Sequence, residues 1–189
     1  LTKIKAQLKR YRQSVLKHAF EGKLTAEWRE AHKDELEPAS VLLDRIKQER
    51  HKTAKSKYKE LPPLDTSNLP ELPEGWAWTI TSEVCSSVRD GTHDTPKYVE
   101  EGIPLVTSKN LREHGLDFTT ARNISIEDHK KISVRSGVDE GDILFAMIGT
   151  IGNPVVVRTN KTFSIKNVAL FKKNEASLDS EYLGFWLAS

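Results

Sequence analysis

Leu1, Ile4, Leu8, Tyr11 and Val15 recur at intervals of 3, 4, 3 and 4 residues. That spacing predicts a helix over residues 1–20 with a narrow apolar stripe, the a/d seam of a coiled coil. Lys3, Lys5, Lys9, Arg10, Arg12 and Lys17 fill the other faces. Twenty helical residues span about 30 Å, and so long and narrow a seam needs a partner helix. Gly22 marks the stop, as glycine does just past a helix C-terminus. A second helix starts near Pro38, which suits a first helical turn. It carries a short stripe of Leu42, Leu43 and Ile46 and is polar beyond it.

The pattern then breaks. Residues 61–75 hold four of the eight prolines, Pro62, Pro63, Pro70 and Pro73, and no helical periodicity. Such a segment is expected to be extended and fairly stiff, a linker between the helices and the rest of the chain. From Trp76 onward short β-rich runs alternate with turns: "WAWTITSEV", "GIPLVTS", "GDILFAMIG", "PVVVR" and "NVALFKK". Val155, Val156 and Val157 in succession predict a strand covered on both faces. Ser125 is a candidate cap for a short helix, and Asp179 or Ser180 for a last one bearing Tyr182, Leu183, Phe185 and Trp186. The expectation is an α+β chain. A helical spacer over 1–60 contains the long coiled-coil-type helix, a linker occupies 61–75, and a mixed, β-rich domain covers 76–189. The last helix has no terminator, so that domain is expected to be truncated.

Composition changes the picture in two ways. Charged residues make up 30% of the 189 and apolar ones 37%, which fits a part with a large solvated surface. The charge is also uneven. Residues 1–60 hold 16 basic and 9 acidic side chains, net +7, while residues 61–189 hold 13 and 18, net −5. A basic helical half suits a polyanion or an acidic protein face. One cysteine, Cys85, excludes an internal disulfide. No run approaches the length of a membrane span or a signal peptide, so a cytoplasmic location is the expectation.

Catalytic constellations are sparse. His93, His114 and His129 show no metal-ligand spacing, and Cys85 stands alone. Gly149 and Gly152 fit neither a dinucleotide fingerprint nor a P-loop, and read as a turn between buried strands. Asp139, Glu140 and Asp142 read as a solvated rim rather than a nuclease cluster, and no methyltransferase motif is present. Asp90 and His93, in "RDGTHDTPKY", are the right types for an acid/base pair, yet no nucleophile accompanies them. The same stretch suits a shaped turn, with Gly91 and Pro96 setting its path.

Five blocks, taken in order, resemble the specificity subunit of type I restriction-modification enzymes. "LKRYRQSVLKHAFEGKLTAEWR" is similar to the end of that family's central conserved helix, and "EPASVLLDRIKQER" to the segment after it. "LPEGWAW" resembles the entry to a target-recognition domain. "DGTHDTPKYVEEGIPLVTSKNL" and "GDILFAMIGTIGN" resemble that domain's recurring blocks. The resemblance implies a non-catalytic subunit that reads one half of a bipartite duplex DNA target and docks modification (methyltransferase) and restriction subunits. S-adenosylmethionine, ATP and Mg²⁺ are then expected only on those partners, with no cofactor or metal on this chain. One recognition domain is present where the family has two, so the chain is expected to be a fragment or a half-length subunit. Either way the Leu1–Val15 seam predicts self-association.

A DNA-reading role calls for cationic, amide and hydroxyl side chains in loops. Ser108, Lys109, Asn110 and Arg112, in "TSKNLREHG", are the leading candidates. His93 and Lys97 are expected near the phosphate backbone, and Lys166 and Asn167 at a strand start. Thr150 and Asn153 belong to a loop whose first role is packing. The competing expectation is a coiled-coil interaction module with a β-rich adaptor that never touches nucleic acid.

Overall fold

A computed structural model describes residues 2–54, 62–149, 151–175 and 177–189. They form two compact units, divided between Val84 and Cys85. Among the described residues, no helix is long and apolar enough to cross a membrane.

The first unit is helical. Helix α1 runs Thr2–Phe20 with no buried residue. Its stripe lies open: Ile4, Leu8 and Tyr11 are exposed and Val15 half-buried; Leu1 is outside the described residues. Gly22 ends it at a φ of 73°, the left-handed conformation that glycine adopts without a side-chain clash. A Cβ there would also meet Pro73 at 2.6 Å. A 3₁₀ turn, Lys23–Thr25, leads into a short helix α2, Ala26–Ala31, which the periodicity did not predict. Arg29 on α2 donates to the Gly22 carbonyl at 2.8 Å and lies 5.4 Å over the Trp76 ring. Helix α3, Ala39–Ala54, half-buries Leu42 and Leu43 and buries Ile46, as its stripe predicts.

The proline-rich segment lies against these helices. Gly75 O accepts the Ala39 N–H at 2.8 Å, and Trp78 Nε1 donates to Pro70 O at 3.1 Å. The run "WAWTITSEV" is not a strand: residues 76–80 are irregular and Thr81–Val84 form the short helix α4, which packs on α3. Tertiary contact overrides β propensity here.

The second unit holds two four-stranded sheets and a hairpin. In the first sheet β1 (Ser87–Asp90), β10 (Val168–Lys172), β7 (Ile143–Ala146) and β8 (Gly152–Val156) pair antiparallel in that order. In the second, β2 (Tyr98–Val99), β6 (Arg122–Ile124) and β3 (Ile103–Val106) pair antiparallel, and β3 runs parallel to β9 (Ser164–Ile165). Strands β4 (Leu111–Arg112) and β5 (Gly115–Leu116) make the hairpin. Val106, Leu144, Val155, Val157, Ile165 and Leu170 are core residues, each at most 5% exposed. Val156 is only half-buried, so the valine run has one closed face and one partly open. Helix α5, Ile126–Ser136, is capped by Ser125, whose hydroxyl accepts the Asp128 N–H. Helix α6, Ser180–Leu187, is capped by Asp179 and buries Leu183.

Candidate nucleic-acid interface

Two stretches of the second unit pass from one sheet to the other side by side. After β1 the chain leaves the first sheet through residues 91–97 and enters β2. After β9 it leaves the second sheet through Lys166 and Asn167 and enters β10. Three backbone hydrogen bonds join the crossings: Gly91 N to Val168 O at 2.9 Å, Thr92 N to Ile165 O at 3.0 Å, and Asn167 N to Thr92 O at 3.1 Å. Gly91 is required by this approach, since a Cβ would stand 2.5 Å from the Ile165 carbonyl oxygen. Asn167 adopts a φ of 53°, a left-handed conformation that asparagine tolerates better than most residues.

Side chains tie the crossing further. His93 Nδ1 lies 3.0 Å from Asn167 Oδ1, and His93 Nε2 lies 2.6 Å from Asp90 Oδ2. Lys166 Nζ donates to His93 O at 2.8 Å and to Thr95 Oγ1 at 2.5 Å. Arg135, in the last turn of α5, pairs with Asp90 Oδ1. Partial burial pushes the Asp90 carboxyl up, but the His93 hydrogen bond and the Arg135 and His93 charges outweigh it and hold it below the usual carboxylate range. Sequence reasoning places His93, Lys166 and Asn167 in one interface, and the structure brings them into direct contact. It misses Arg135, because nothing in the spacing links positions 45 residues apart.

A second loop rises beside this one. Lys166 N donates to Val106 O at 2.9 Å, at the end of β3. The chain there enters a 3₁₀ turn, Ser108–Asn110, and the β4–β5 hairpin. Asn110 does not present a base-reading amide; it is 2% exposed and turned inward. Its Oδ1 accepts from Thr107 N at 2.8 Å and Thr107 Oγ1 at 3.0 Å, while Nδ2 donates to Asp117 O at 2.9 Å and Thr120 Oγ1 at 3.2 Å. Buried amides are satisfied in this way, so Asn110 shapes the loop from beneath. Lys109 and Arg112 are exposed and Ser108 half-buried. Arg112 Nε sits 3.6 Å from Asp117 Oδ2. Asp117 is held low by hydrogen bonds from Thr119, aided by the Arg112 charge. Lys97 is exposed just before β2. Thr150 lies outside the described residues, and Asn153 takes a φ of 48° within β8.

The other constellations are structural. Lys172 Nζ bridges Asp139 Oδ2 at 2.5 Å and Asp142 Oδ2 at 2.7 Å, so Asp142 is a buried brace and no rim residue. His129 Nδ1 is 2.9 Å from Ser164 Oγ. Among the described residues no three His, Cys, Asp or Glu side chains are grouped to hold a metal ion.

The fold and loops define a class: a helical unit joined to an α+β unit whose sheet crossings carry a cationic, hydrogen-bonded loop cluster. Sequence comparison gives the class its relatives. The chain is 27% identical over 193 residues to the type I restriction enzyme EcoAI specificity subunit of Escherichia coli, covering 94% of this chain and 31% of that protein. It is 28% identical to the EcoBI specificity subunit and 29% to the EcoEI one, both of E. coli, covering 100% and 76% of this chain. It is thus similar to type I restriction enzyme specificity subunits, and spans only 25–35% of the length of those three. No family model matches. Solved structures similar to it include the HsdS subunit from Thermoanaerobacter tengcongensis, with TM-score 0.45 and 18% identity over 99% of this chain and 39% of that one. Another is from work on assembly and conformational transition of the type I R-M system, with TM-score 0.48 and 17% identity over 94% and 40%.

Proposed function

We propose that this chain is a non-catalytic DNA-recognition element of a type I restriction-modification complex, reading one half of a bipartite target and docking methyltransferase subunits. The observation that carries this reading is similarity to specificity subunits running through the helical and strand units alike. The loop chemistry agrees with it. Lys97, Lys109, Arg112 and Lys166 neutralise phosphates, Ser108 adds a hydroxyl contact, and the exposed Lys109 and Arg112 are the side chains that reach base edges. His93 stands at the phosphate backbone, and Asn167 fixes its ring. Restriction subunits join through the same assembly. S-adenosylmethionine, ATP and Mg²⁺ act on the partners, and the chain works in the cytoplasm. The α1 seam takes a second helix, supplied by another copy or by the assembled complex.

The test is binding of the intact chain to a mixed-sequence DNA duplex across salt concentration. Four phosphate contacts give a log–log slope of about −3.6. A flat response, or no binding up to about 100 μM at low salt, sinks the reading. The net charge of −5 on residues 61–189 favours the second reading, an adaptor that binds only protein. The same titration separates the two.

A further inference from the structure

We propose that Asp90 is a positioning residue of the DNA interface: its carboxylate holds the Arg135 guanidinium and the His93 ring so that both face one stretch of phosphate backbone. The inference rests on the DNA-recognition reading above and adds Asp90 and Arg135 to it. It also runs against simple electrostatics, which makes any carboxylate near DNA a repulsive group.

The geometry divides the carboxylate between two partners. Oδ1 takes Arg135, carried in from α5, and Oδ2 takes His93 from the loop after β1. The depth of the three side chains differs. Asp90 is recessed at 27% exposure, while Arg135 and His93 stand out at 63% and 64%. Asp90 is therefore the most recessed of the three, and Arg135 and His93 are the more exposed to solvent. On its other side His93 meets Asn167 Oδ1. Both ring nitrogens of His93 thus have a partner, Asn167 Oδ1 on one side and Asp90 Oδ2 on the other. Lys166 fixes the same loop from the opposite side, through His93 O and Thr95 Oγ1.

Stability gives little reason for this order. Exposed ion pairs contribute little to folding and cost side-chain entropy. An interface gains from it, because cations already held in place lose less freedom when a phosphate arrives. A planar guanidinium anchored at one edge keeps its other N–H groups for a phosphate oxygen.

The sign of one substitution decides the matter. Asp90→Asn removes a negative charge, so electrostatics alone predicts tighter binding to a mixed-sequence duplex. Positioning predicts the reverse: binding about threefold to tenfold weaker, with a salt slope shallower by roughly 1 to 2. Asp90→Glu, which keeps the charge, restores most of the affinity. In an Arg135→Ala, His93→Ala background Asp90→Asn has no further effect, because it acts through those two groups. Equal or tighter binding by Asp90→Asn overturns the proposal, as does an undiminished effect in the double-substituted background. If circular dichroism shows Asp90→Asn unfolded, Arg135→Ala alone decides, since it must make the slope shallower by about 1. No salt-dependent binding by the unsubstituted chain removes the DNA-recognition reading and this inference together. Binding that Asp90→Asn leaves intact removes this inference only.

Discussion

Lys172 Nζ lies 2.7 Å from Asp142 Oδ2, and Asp142 is 1% exposed. Asp142 also accepts the Asp139 N–H at 2.8 Å and the Lys173 N–H at 2.9 Å. The pair braces the residues before β7 against the end of β10. Lys172→Met leaves a buried carboxylate without its cation, a change that costs about 3–5 kcal/mol. A urea midpoint unchanged in the variant would contradict the brace.

The same pair sets an alkaline limit. Partial burial pulls the Lys172 ammonium down, but its hydrogen bonds to Asp139 and Asp142 outweigh this and raise it above the ordinary lysine range. A raised cation stabilises fully below its unfolded value, about 10.4, and the gain is lost as pH rises through the folded value. The difference in stability between the unsubstituted chain and Lys172→Met should therefore shrink above about pH 10. Denaturation series at stepped pH measure it.

Asn110 is a second checkable point. Asn110→Ala removes four hydrogen bonds from a buried site and leaves Thr107 N and Asp117 O short of a partner. The expected loss is about 1–3 kcal/mol, seen in thermal unfolding without any DNA present. A variant of unchanged stability that only loses DNA affinity would return Asn110 to the role of base reader.

Gly91 tests the sheet crossing. An added methyl meets the Ile165 carbonyl, and that backbone must shift. Gly91→Ala should cost about 1–3 kcal/mol. It should also separate His93 from Asn167, which NMR shifts of the His93 ring would report.

The α1 stripe predicts association. Leu8 is 62% and Tyr11 71% exposed, too much apolar surface on one helix face to stay unpartnered at high concentration. Light scattering across the micromolar range should show self-association, and Leu8→Lys should abolish it. A strictly monomeric chain at all concentrations would exclude a homotypic seam.

Local rules explain which elements are legible in the sequence. The 3-4 spacing marks α1, the Leu42, Leu43 and Ile46 stripe marks α3, and the Ser125 and Asp179 caps mark the starts of α5 and α6. Each depends on neighbours within one turn. The misread run at residues 76–84 shows the converse. Its tryptophans favour a strand, but in the fold Trp76 lies under Arg29 and Trp78 donates to Pro70. Asn110 fails for a related reason, since an amide at the tip of a polar turn looks the same in sequence whether it points out or in.

The sequence by itself determined helices α1, α3, α5 and α6 and the turn residues. Periodicity, caps and glycine positions act over a few residues. Only the tertiary structure decided which polar side chains meet. His93 and Asn167 are 74 positions apart and Arg135 and Asp90 are 45 apart. The first pair is brought together by the pairing of β1 with β10 and of β3 with β9, and the second by the packing of α5 against β1. Strand pairing is non-local. The burial that pulled Asn110 inward while leaving Arg135 outside depends on how the sheets close, which no short window of sequence encodes.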